Sequence, residues 1–423
     1  MTTRRNFLRN SALGVATIAV PAALGATPEN SASSNAAGYK EAATLKAGIA
    51  REIITPKVGG LLAGYAAGKP STVIHDDLTV TALAIEYEKT KVVLMSATVC
   101  LINNDLTARL RTLCGEAAGV PASNVILAAT HTHSGPVIDT DYSEQIFIPK
   151  CLTAAKASVA AMKPATMGIA KTESRVGINR RKLLQNDRVI LSNNPWGTYD
   201  PEMTVISFKD EDNKTFANIV HYAAHCTAAG INTEITRDWA GGMIDRLDTE
   251  SGGITMFLQG MQGDVGPRLP NGEDKGDIKH VVELGAIAAI DAVRAYKDIR
   301  IYRDEQLSVV TGEVRLPHVA TTSEESFFSY DQTLIKLGPV VFIPVPFEVS
   351  SEISLRLRAY SKYGHTLALG CANGSNSYLV SQDQICRGGY EVERFMDRTL
   401  RLVDNTDKHL VNQNLQLMEK FST

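Results

Sequence analysis

Short apolar strands alternate with amphipathic helices along almost the whole chain, and this alternation limits the possible folds more than any other feature. Residues 80–87 and 91–99 predict a β-hairpin, because two apolar, β-branched runs flank Glu88-Lys89-Thr90. Further strands are predicted at 124–129, 166–171, 204–208, 216–223, 254–258, 340–345 and 366–370. Helices are predicted at 105–118, 145–162, 239–250, 278–296 and 349–360. This mixture predicts an α/β protein with mixed sheets flanked by helices.

The region from residue 45 to residue 423 is expected to form one large domain. It contains no repeat and no strong linker, and its tail after Asn405 is expected to form a strand and a short helix. The composition, 44% hydrophobic and 21% charged, is typical of globular proteins. A chain of 423 residues can bury a large core without a metal. Any metal site in it is therefore expected to serve catalysis rather than folding.

The amino terminus has the pattern of a twin-arginine export signal. Arg4 and Arg5 precede a weakly apolar run from residue 11 to about residue 26 that ends in small residues. We therefore predict a signal peptide at 1–26 and a linker at 27–44, which includes a Ser- and Ala-rich stretch. The mature protein is expected to be periplasmic or secreted. The apolar run is too short and too weakly hydrophobic for a transmembrane segment.

Charge and motif content exclude several classes of partner and chemistry. The formal net charge is −3 and no Lys/Arg cluster is present, so no nucleic-acid partner is expected. The sequence has no phosphate-binding loop, no G-x-S-x-G elbow, no H-E-x-x-H and no dinucleotide fingerprint after a strand. The partner that we expect is therefore a small-molecule or lipid substrate.

Two histidines follow a buried strand and precede a turn. His131 and His133 come directly after the 124–129 strand and before Gly135-Pro136. In an extended chain, residues two apart point to the same side, so both imidazoles can face one site. The pattern favours a metal or catalytic site and hydrogen-bonded histidines at a polar strand end about equally.

A second pair of histidines and two carboxylates extend this candidate site. The spacing of His221 and His225 does not decide which of them would take part. Glu348 and Asp264 each lie just beyond a strand end, where catalytic groups collect in α/β proteins, although acids there also cap helices. Histidines combined with a carboxylate predict a zinc site. The sequence leaves the roles of Asp264 and Asp238 open.

At these positions the sequence resembles the neutral/alkaline, non-lysosomal ceramidases, which are zinc amidases. The motif at 129–136, ATHTHSGP, is the most specific match. Looser matches follow in the family's order: 47–56 with Gly64-Tyr65, Asn179-Arg180, Ala224-His225, 263–265, 346–348 and Ser377-Tyr378. The resemblance covers roughly residues 45–395 and concerns the amino-terminal zinc amidase domain only.

The resemblance implies a complete catalytic apparatus. By position, His131, His225, Glu348 and Tyr378 would be the ligands of a Zn²⁺ ion, which would activate a water molecule. His133 would be the general acid/base, and Arg180 would bind the substrate oxygen that becomes negative. The implied reaction is hydrolysis of the amide bond of an N-acyl sphingolipid.

Departures from the family motifs leave alternatives open. Gly266 stands where the family has serine, Phe347 replaces a glycine, and Cys226 replaces a proline. The same zinc site could act on a polar amide, an ester or a sugar derivative of the cell envelope or of an exogenous polysaccharide. Two weaker alternatives are a binding protein that has kept its zinc site and a thiol hydrolase that uses Cys226 with His225. Adjacent strand residues point to opposite faces, which argues against the last of these.

Overall fold

The computed structural model describes residues 44–318, 326–396, 403 and 405–422. Its helices are α1 Asn104–Ala118, α2 Thr140–Tyr142, α3 Ile148–Ala160, α4 Trp239–Ser251, α5 Ile278–Asp298, α6 Ser351–Tyr360, α7 Gln382–Arg387, α8 Tyr390–Met396 and α9 Thr406–Glu419. Short 3-10 helices lie at Gly64–Ala66, Ala122–Asn124 and Lys420–Ser422, and a π-helical turn lies at Ser143–Phe147. The predicted signal peptide at 1–26 and nearly all of the predicted linker at 27–44 lie outside the described residues.

The strands that the structure describes are mostly short. They are β1 Lys46–Ile53, β2 Val73–Ile74, β3 Thr79–Tyr87, β4 Thr90–Ala97, β5 Val125–Ala129, β6 Lys163–Pro164, β7 Thr166–Glu173, β8 Gly177–Asn179, β9 Arg181–Leu183, β10 Val189–Leu191, β11 Glu202–Lys209, β12 Thr215–Tyr222, β13 Glu234–Ile235, β14 Ile254–Gln259, β15 Val265–Pro267, β16 Tyr302–Arg303, β17 Leu307–His318, β18 Ser326–Leu337, β19 Val340–Pro344, β20 Glu348–Val349, β21 His365–Leu369 and β22 Tyr378–Leu379.

Two five-stranded sheets pack face to face. The first has the order β5-β4-β3-β1-β6, and the second has the order β14-β12-β11-β7-β16. One apolar cluster joins their inner faces, with Leu83 and Leu94 from the first sheet and Ile219 and Met256 from the second. Since strand side chains alternate between faces, the outer faces are also apolar and need cover.

Helices and a third sheet provide that cover. Helices α1 and α3 pack on the first sheet, and α4 and α5 pack on the second. The third sheet, in the order β17-β18-β19-β21, contributes Phe342 to the inner cluster and packs its other face against α6 and α9. The prediction of mixed sheets flanked by helices is confirmed.

Most predicted elements are present, but the prediction for the carboxy-terminal tail is wrong in part. The 80–87 and 91–99 hairpin is confirmed as antiparallel β3 and β4, with Tyr87 opposite Thr90. The strand predicted after Asn405 is wrong, because α9 occupies Thr406–Glu419. Leu410, Val411 and Leu417 lie at helical spacing and are buried, so a helix covers more apolar surface there than a strand would. No helix among the described residues is long and apolar enough to cross a membrane.

Parallel strand pairs bring distant loops to one edge of the sheets. Strand β4 runs parallel to β5, β12 to β14, and β19 to β21. In α/β proteins, loops at the carboxyl ends of parallel strands gather the functional groups. His131 lies two residues after β5, His225 lies three residues after β12, and Glu348 lies four residues after β19.

Candidate metal centre

The side chains of His131, His225 and Glu348 converge at this edge. The Glu348 Oε2 atom lies 3.2 Å from His131 Nε2 and 3.1 Å from His225 Nε2. The three residues form a group whose donor atoms could hold one metal ion. Ligands of a tetrahedral zinc ion are separated by about 3.3 Å when each bond is about 2.05 Å long. The observed separations therefore fit zinc.

Hydrogen bonds behind the two imidazoles direct their Nε2 atoms toward Glu348. His131 Nδ1 lies 2.8 Å from the Cys100 carbonyl oxygen. His225 Nδ1 lies 3.0 and 2.9 Å from the carbonyl oxygens of Gln262 and Val265. A carbonyl can only accept, so each Nδ1 carries a proton, and Nε2 is the nitrogen of each ring that can ligate a metal. This tautomer is the one that a metal-ligating histidine needs.

His131 reaches the site through a left-handed backbone conformation and not through strand alternation. Strand β5 ends at Ala129, and His131 has a φ of 65°. The two imidazoles do face one site, as predicted, with the Nε2 atoms of His131 and His133 3.2 Å apart, but the extended chain expected to place them there is absent at His131. A non-glycine residue in this region is strained, and such strain collects at functional sites. The His131 amide donates to the Val99 carbonyl at 3.0 Å, which fixes this turn.

His133 lies beside the cluster. Its Nε2 atom is 3.2 Å from His131 Nε2, and its ring centroid is 4.8 Å from that of His131. Its Nδ1 atom is buried and has no hydrogen-bond partner among the described residues. His133 thus reaches the reacting region without the carbonyl partner that fixes the other two histidines.

Tyr378 lies next to Glu348 on paired strands. Strands β20 and β22 run parallel, with Glu348 in register with Tyr378. Arg180 Nη2 donates a 3.0 Å hydrogen bond to the Tyr378 hydroxyl oxygen. The structure therefore brings all six residues that the resemblance named into one neighbourhood.

Arg180 is buried and held by protein acceptors. Its Nε donates to Glu391 Oε1 at 2.9 Å, and its Nη2 also donates to the Gly263 carbonyl at 2.9 Å. Arg181 Nη1 donates to the other Glu391 oxygen at 2.5 Å. Glu391, which is 0% exposed, therefore neutralises two buried arginines. Glu391 is not predictable from the sequence, because no local motif distinguishes it from an ordinary first-turn acid of α8.

Burial and mutual charge set the ionisation of the cluster. Burial alone would raise the pKa of Glu348, but the charge and hydrogen bonds of His131 and His225 hold that pKa well below its usual value. Burial, reinforced by the Arg180 charge, lowers the pKa of His225 to about 4. Burial and the neighbouring histidines lower the pKa of His133 well below its usual value. Burial alone would lower the pKa of His131, but the charge of Glu348 raises that pKa well above its usual value. Because only a neutral imidazole ligates a metal, metal binding here would release a proton from His131.

Other candidates from the sequence lie apart from the three donors. His221 Nε2 lies 3.0 Å from the Ala368 carbonyl, so the structure brings His225 and not His221 to the cluster. Asp264 accepts hydrogen bonds of 2.7 Å from the Ser351 amide and from Gln384 Nε2. These contacts give Asp264 a structural role beside the amino terminus of α6. Asp238 caps α4, where its side chain accepts a hydrogen bond from the Trp239 amide.

Cys226 is unsuited to act as a nucleophile. It is buried, and burial together with the nearby Asp238 raises its thiol pKa well above the usual value. A thiol hydrolase needs a thiolate, and apolar burial suppresses that form. The structure thus gives no support to the thiol alternative.

The layered sheets and the donor set at their edge define an α/β protein with a candidate metal centre. No family model and no curated protein matches the sequence. Its fold is similar to a ceramidase complexed with C2, with a TM-score of 0.73, 17% identity, and coverage of 89% of this chain and 76% of that chain. It is also similar to neutral ceramidase from Pseudomonas aeruginosa, with a TM-score of 0.73, 18% identity, and coverage of 90% and 75%. The chain therefore has the fold of the neutral ceramidases, as the motifs implied.

Proposed function

We propose that the protein is an exported, zinc-dependent amidase that hydrolyses the amide bond of an N-acyl sphingolipid. The observation that carries this proposal is the position of Glu348 Oε2 within 3.2 Å of two imidazole nitrogens whose tautomers are fixed. The ceramidase fold of the chain supports the choice of reaction. The export signal and the periplasmic or secreted location belong to the same proposal.

His131, His225, Glu348 and Tyr378 would hold the zinc ion. When bound, zinc lowers the pKa of water and polarises the acyl carbonyl of the substrate. The core of the protein does not depend on this ion, because its four apolar clusters are built from packed sheets and helices. We therefore assign the ion to catalysis.

His133 would move the proton during the reaction. Its neutral imidazole takes a proton from the attacking water and gives it to the nitrogen of the leaving amine. A carbon–oxygen bond forms, the carbon–nitrogen bond breaks, and the products are a carboxylic acid and an amine. The low pKa of His133 keeps the ring neutral in the resting protein, which is the form that a base requires.

Arg180 would stabilise the negative charge that develops on the carbonyl oxygen. Its Nε and Nη2 atoms already donate to Glu391, Gly263 and Tyr378, so Nη1 is the group available to the substrate. A preorganised donor of this kind acts without reorganisation during the reaction. The buried Glu391 carboxylate keeps the guanidinium plane in place.

Polar groups near the site favour a second candidate substrate class. The Tyr65 hydroxyl donates a 3.2 Å hydrogen bond to Asp274, the Arg180 charge acts on Tyr65, and Arg181 shares the Glu391 carboxylate with Arg180. Such surroundings also suit a polar amide, an ester or a sugar derivative of the cell envelope or a polysaccharide. The zinc residues and the roles of His133 and Arg180 would be the same.

A metal-replacement assay with a substrate panel tests the proposal. The chain is stripped with a chelator, reloaded with zinc, and offered short- and long-chain N-acyl sphingosines, N-acyl amino acids, N-acetylhexosamines and acyl esters. We expect no turnover without zinc, restored turnover with zinc, and a preference for N-acyl sphingosines. Preference for a polar compound would select the second class. Zinc binding without turnover of any acyl compound, or an active His131→Ala variant, would overturn the proposal.

A further inference from the structure

The orientation of the His133 ring needs a source other than hydrogen bonds. His131 and His225 are each held by a carbonyl at Nδ1, whereas His133 Nδ1 has no such partner in the described residues. The contact between His133 Nε2 and His131 Nε2, at 3.2 Å, uses the same lone pair that His131 needs for a metal. A proton-transfer group without orienting bonds depends on packing for its geometry.

A turn at Gly64-Tyr65 packs directly against this ring. The Tyr65 ring meets the His133 imidazole edge-on, with centroids 4.6 Å apart and an interplanar angle of 73°. A Cβ placed on Gly64 would lie only 2.5–2.6 Å from His133 Cα, Cβ and Cγ. Gly64 also has a φ of +76°, a conformation that favours glycine. Only glycine therefore allows the turn to approach His133 this closely.

The turn is itself anchored at three points. The Tyr65 hydroxyl donates to Asp274 Oδ2 at 3.2 Å, and Asp274 is buried. Lys275 Nζ lies 5.0 Å from the centre of the Tyr65 ring, a cation–π contact. On the other side, the Ala63 amide donates to the Gly135 carbonyl at 2.9 Å, two residues beyond His133. Tyr65 is thus held between the histidine turn and the 274–275 loop.

We propose that Tyr65 is a positioning residue, which holds the His133 imidazole by the edge of its ring. Gly64 permits the approach, and Asp274 fixes the tyrosine from behind. This role rests on the proposed function, in which His133 transfers the proton. It predicts that the tyrosine ring matters more than its hydroxyl, because the ring contacts His133 and the hydroxyl contacts Asp274.

Kinetics of substitutions at Tyr65 test this role on the zinc-loaded chain. We expect Tyr65→Leu to lower kcat about 10- to 100-fold, as small misplacements of catalytic groups do, with little change in KM and unchanged zinc content. Tyr65→Phe keeps the ring and should restore most of kcat. The matched control is Tyr360→Leu, since Tyr360 is 69% exposed at the end of α6. An unchanged kcat in Tyr65→Leu, or a rise in KM alone, would overturn the proposal.

A spectroscopic measurement separates this proposal from the proposed function. The ¹³C-histidine NMR signal of His133 is assigned by its loss in His133→Gln. The edge contact with Tyr65 should shift this signal, so Tyr65→Leu and Gly64→Ala are expected to move it and Tyr65→Phe to preserve it. This test needs no substrate. An unmoved His133 signal in Tyr65→Leu would refute the positioning role, whereas inactivity of the wild-type chain on every acyl substrate would refute only the proposed function.

Discussion

His221 and His225 lie four residues apart, yet their surroundings differ completely. His221 belongs to β12, and its Nε2 donates to the Ala368 carbonyl, so that nitrogen carries the proton and has no lone pair for a metal. His225 lies beyond the strand, with its Nε2 facing Glu348. The end of β12 at Tyr222 separates the two roles, because the chain leaves the sheet there and turns toward the carboxylate.

Substitution of each histidine should therefore give opposite results. We expect His225→Ala to lose zinc and to lower activity by more than about 100-fold. Loss of a hydrogen-bond partner behind a metal ligand costs up to about 100-fold, and loss of the ligand itself should cost more. His221→Gln should lower the free energy of unfolding, since His221 is buried, but should bind one zinc ion per chain. Elemental analysis after gel filtration measures the metal. Full zinc content in His225→Ala would contradict the ligand assignment.

Glu391 is the buried charge on which two arginines depend. We expect Glu391→Ala to lower the free energy of unfolding by about 3–5 kcal/mol, because Arg180 and Arg181 would be left buried without their carboxylate. Glu393→Ala is the matched control, since Glu393 lies in the same helix and is exposed. It should change the free energy by less than about 0.5 kcal/mol. Urea denaturation measures both, and equal effects would count against the network.

The sequence revealed the residues of the site only where they form a local pattern. His131 and His133 are visible because they are neighbours in the chain and follow a buried strand. Glu391 contacts Arg180, Tyr65 contacts His133 and Asp274 contacts Tyr65, yet the sequence marks none of the three as a site residue. Their partners lie far away in sequence, and an acid such as Glu391 in the first turn of a helix is common for its interaction with the helix end alone.

At the scale of elements, Asp238 ties helix α4 to the loop that carries His225. Its Oδ1 accepts from the amides of Trp239 at 2.8 Å and Ala228 at 3.0 Å, and its Oδ2 accepts from the Ala229 amide at 2.9 Å. Trp239 Nε1 in turn donates to the His225 carbonyl at 2.9 Å. The amino terminus of α4 thus supports the turn that follows the candidate ligand.

The ionisation of Asp238 predicts a pH dependence of stability. Burial raises its pKa from the ordinary 3.8 to about 6, so between these values the folded protein binds more protons than the unfolded chain. The contribution of Asp238 is therefore fully present below pH 3.8 and is lost as pH rises through about 6. Asp238→Asn keeps one acceptor oxygen and does not titrate. The free energy of unfolding of the wild type minus that of the variant should decrease as pH rises from 3.8 to about 6, and it should be constant above about pH 7. A pH-independent difference would refute this.

Element prediction succeeded where one apolar pattern determines the conformation and failed where packing determines it. The sequence predicts a helix at 105–118, and α1 ends there because Gly119 takes a left-handed conformation. The hairpin of β17 and β18 was missed, because its strands mix exposed charged residues with apolar ones, as at Glu313 and Asp331. Its position depends on contacts with α9, which lies far along the chain.

At the scale of the whole molecule, the candidate metal centre joins three parts of the fold. His131 follows the first sheet, His225 follows the second, and Glu348 follows the third. Each sheet has its own apolar contacts, so the fold does not need the ion. A zinc ion bound to these three residues would nevertheless connect the three sheets. It would do so only in the native state, because the unfolded chain does not bring the three residues together.

Zinc should therefore stabilise a chain that folds without it. We expect the chelated protein to keep its far-UV circular dichroism spectrum. Its free energy of unfolding should rise by about 2.7 kcal/mol when the free zinc concentration is 100 times the Kd. The gain would appear as a rise in Tm with zinc concentration. The matched control, Glu348→Gln, keeps the size of the side chain but lacks the carboxylate charge, and its Tm should respond far less. Loss of secondary structure on chelation would assign the ion to folding, and an equal rise in Glu348→Gln would place the zinc elsewhere.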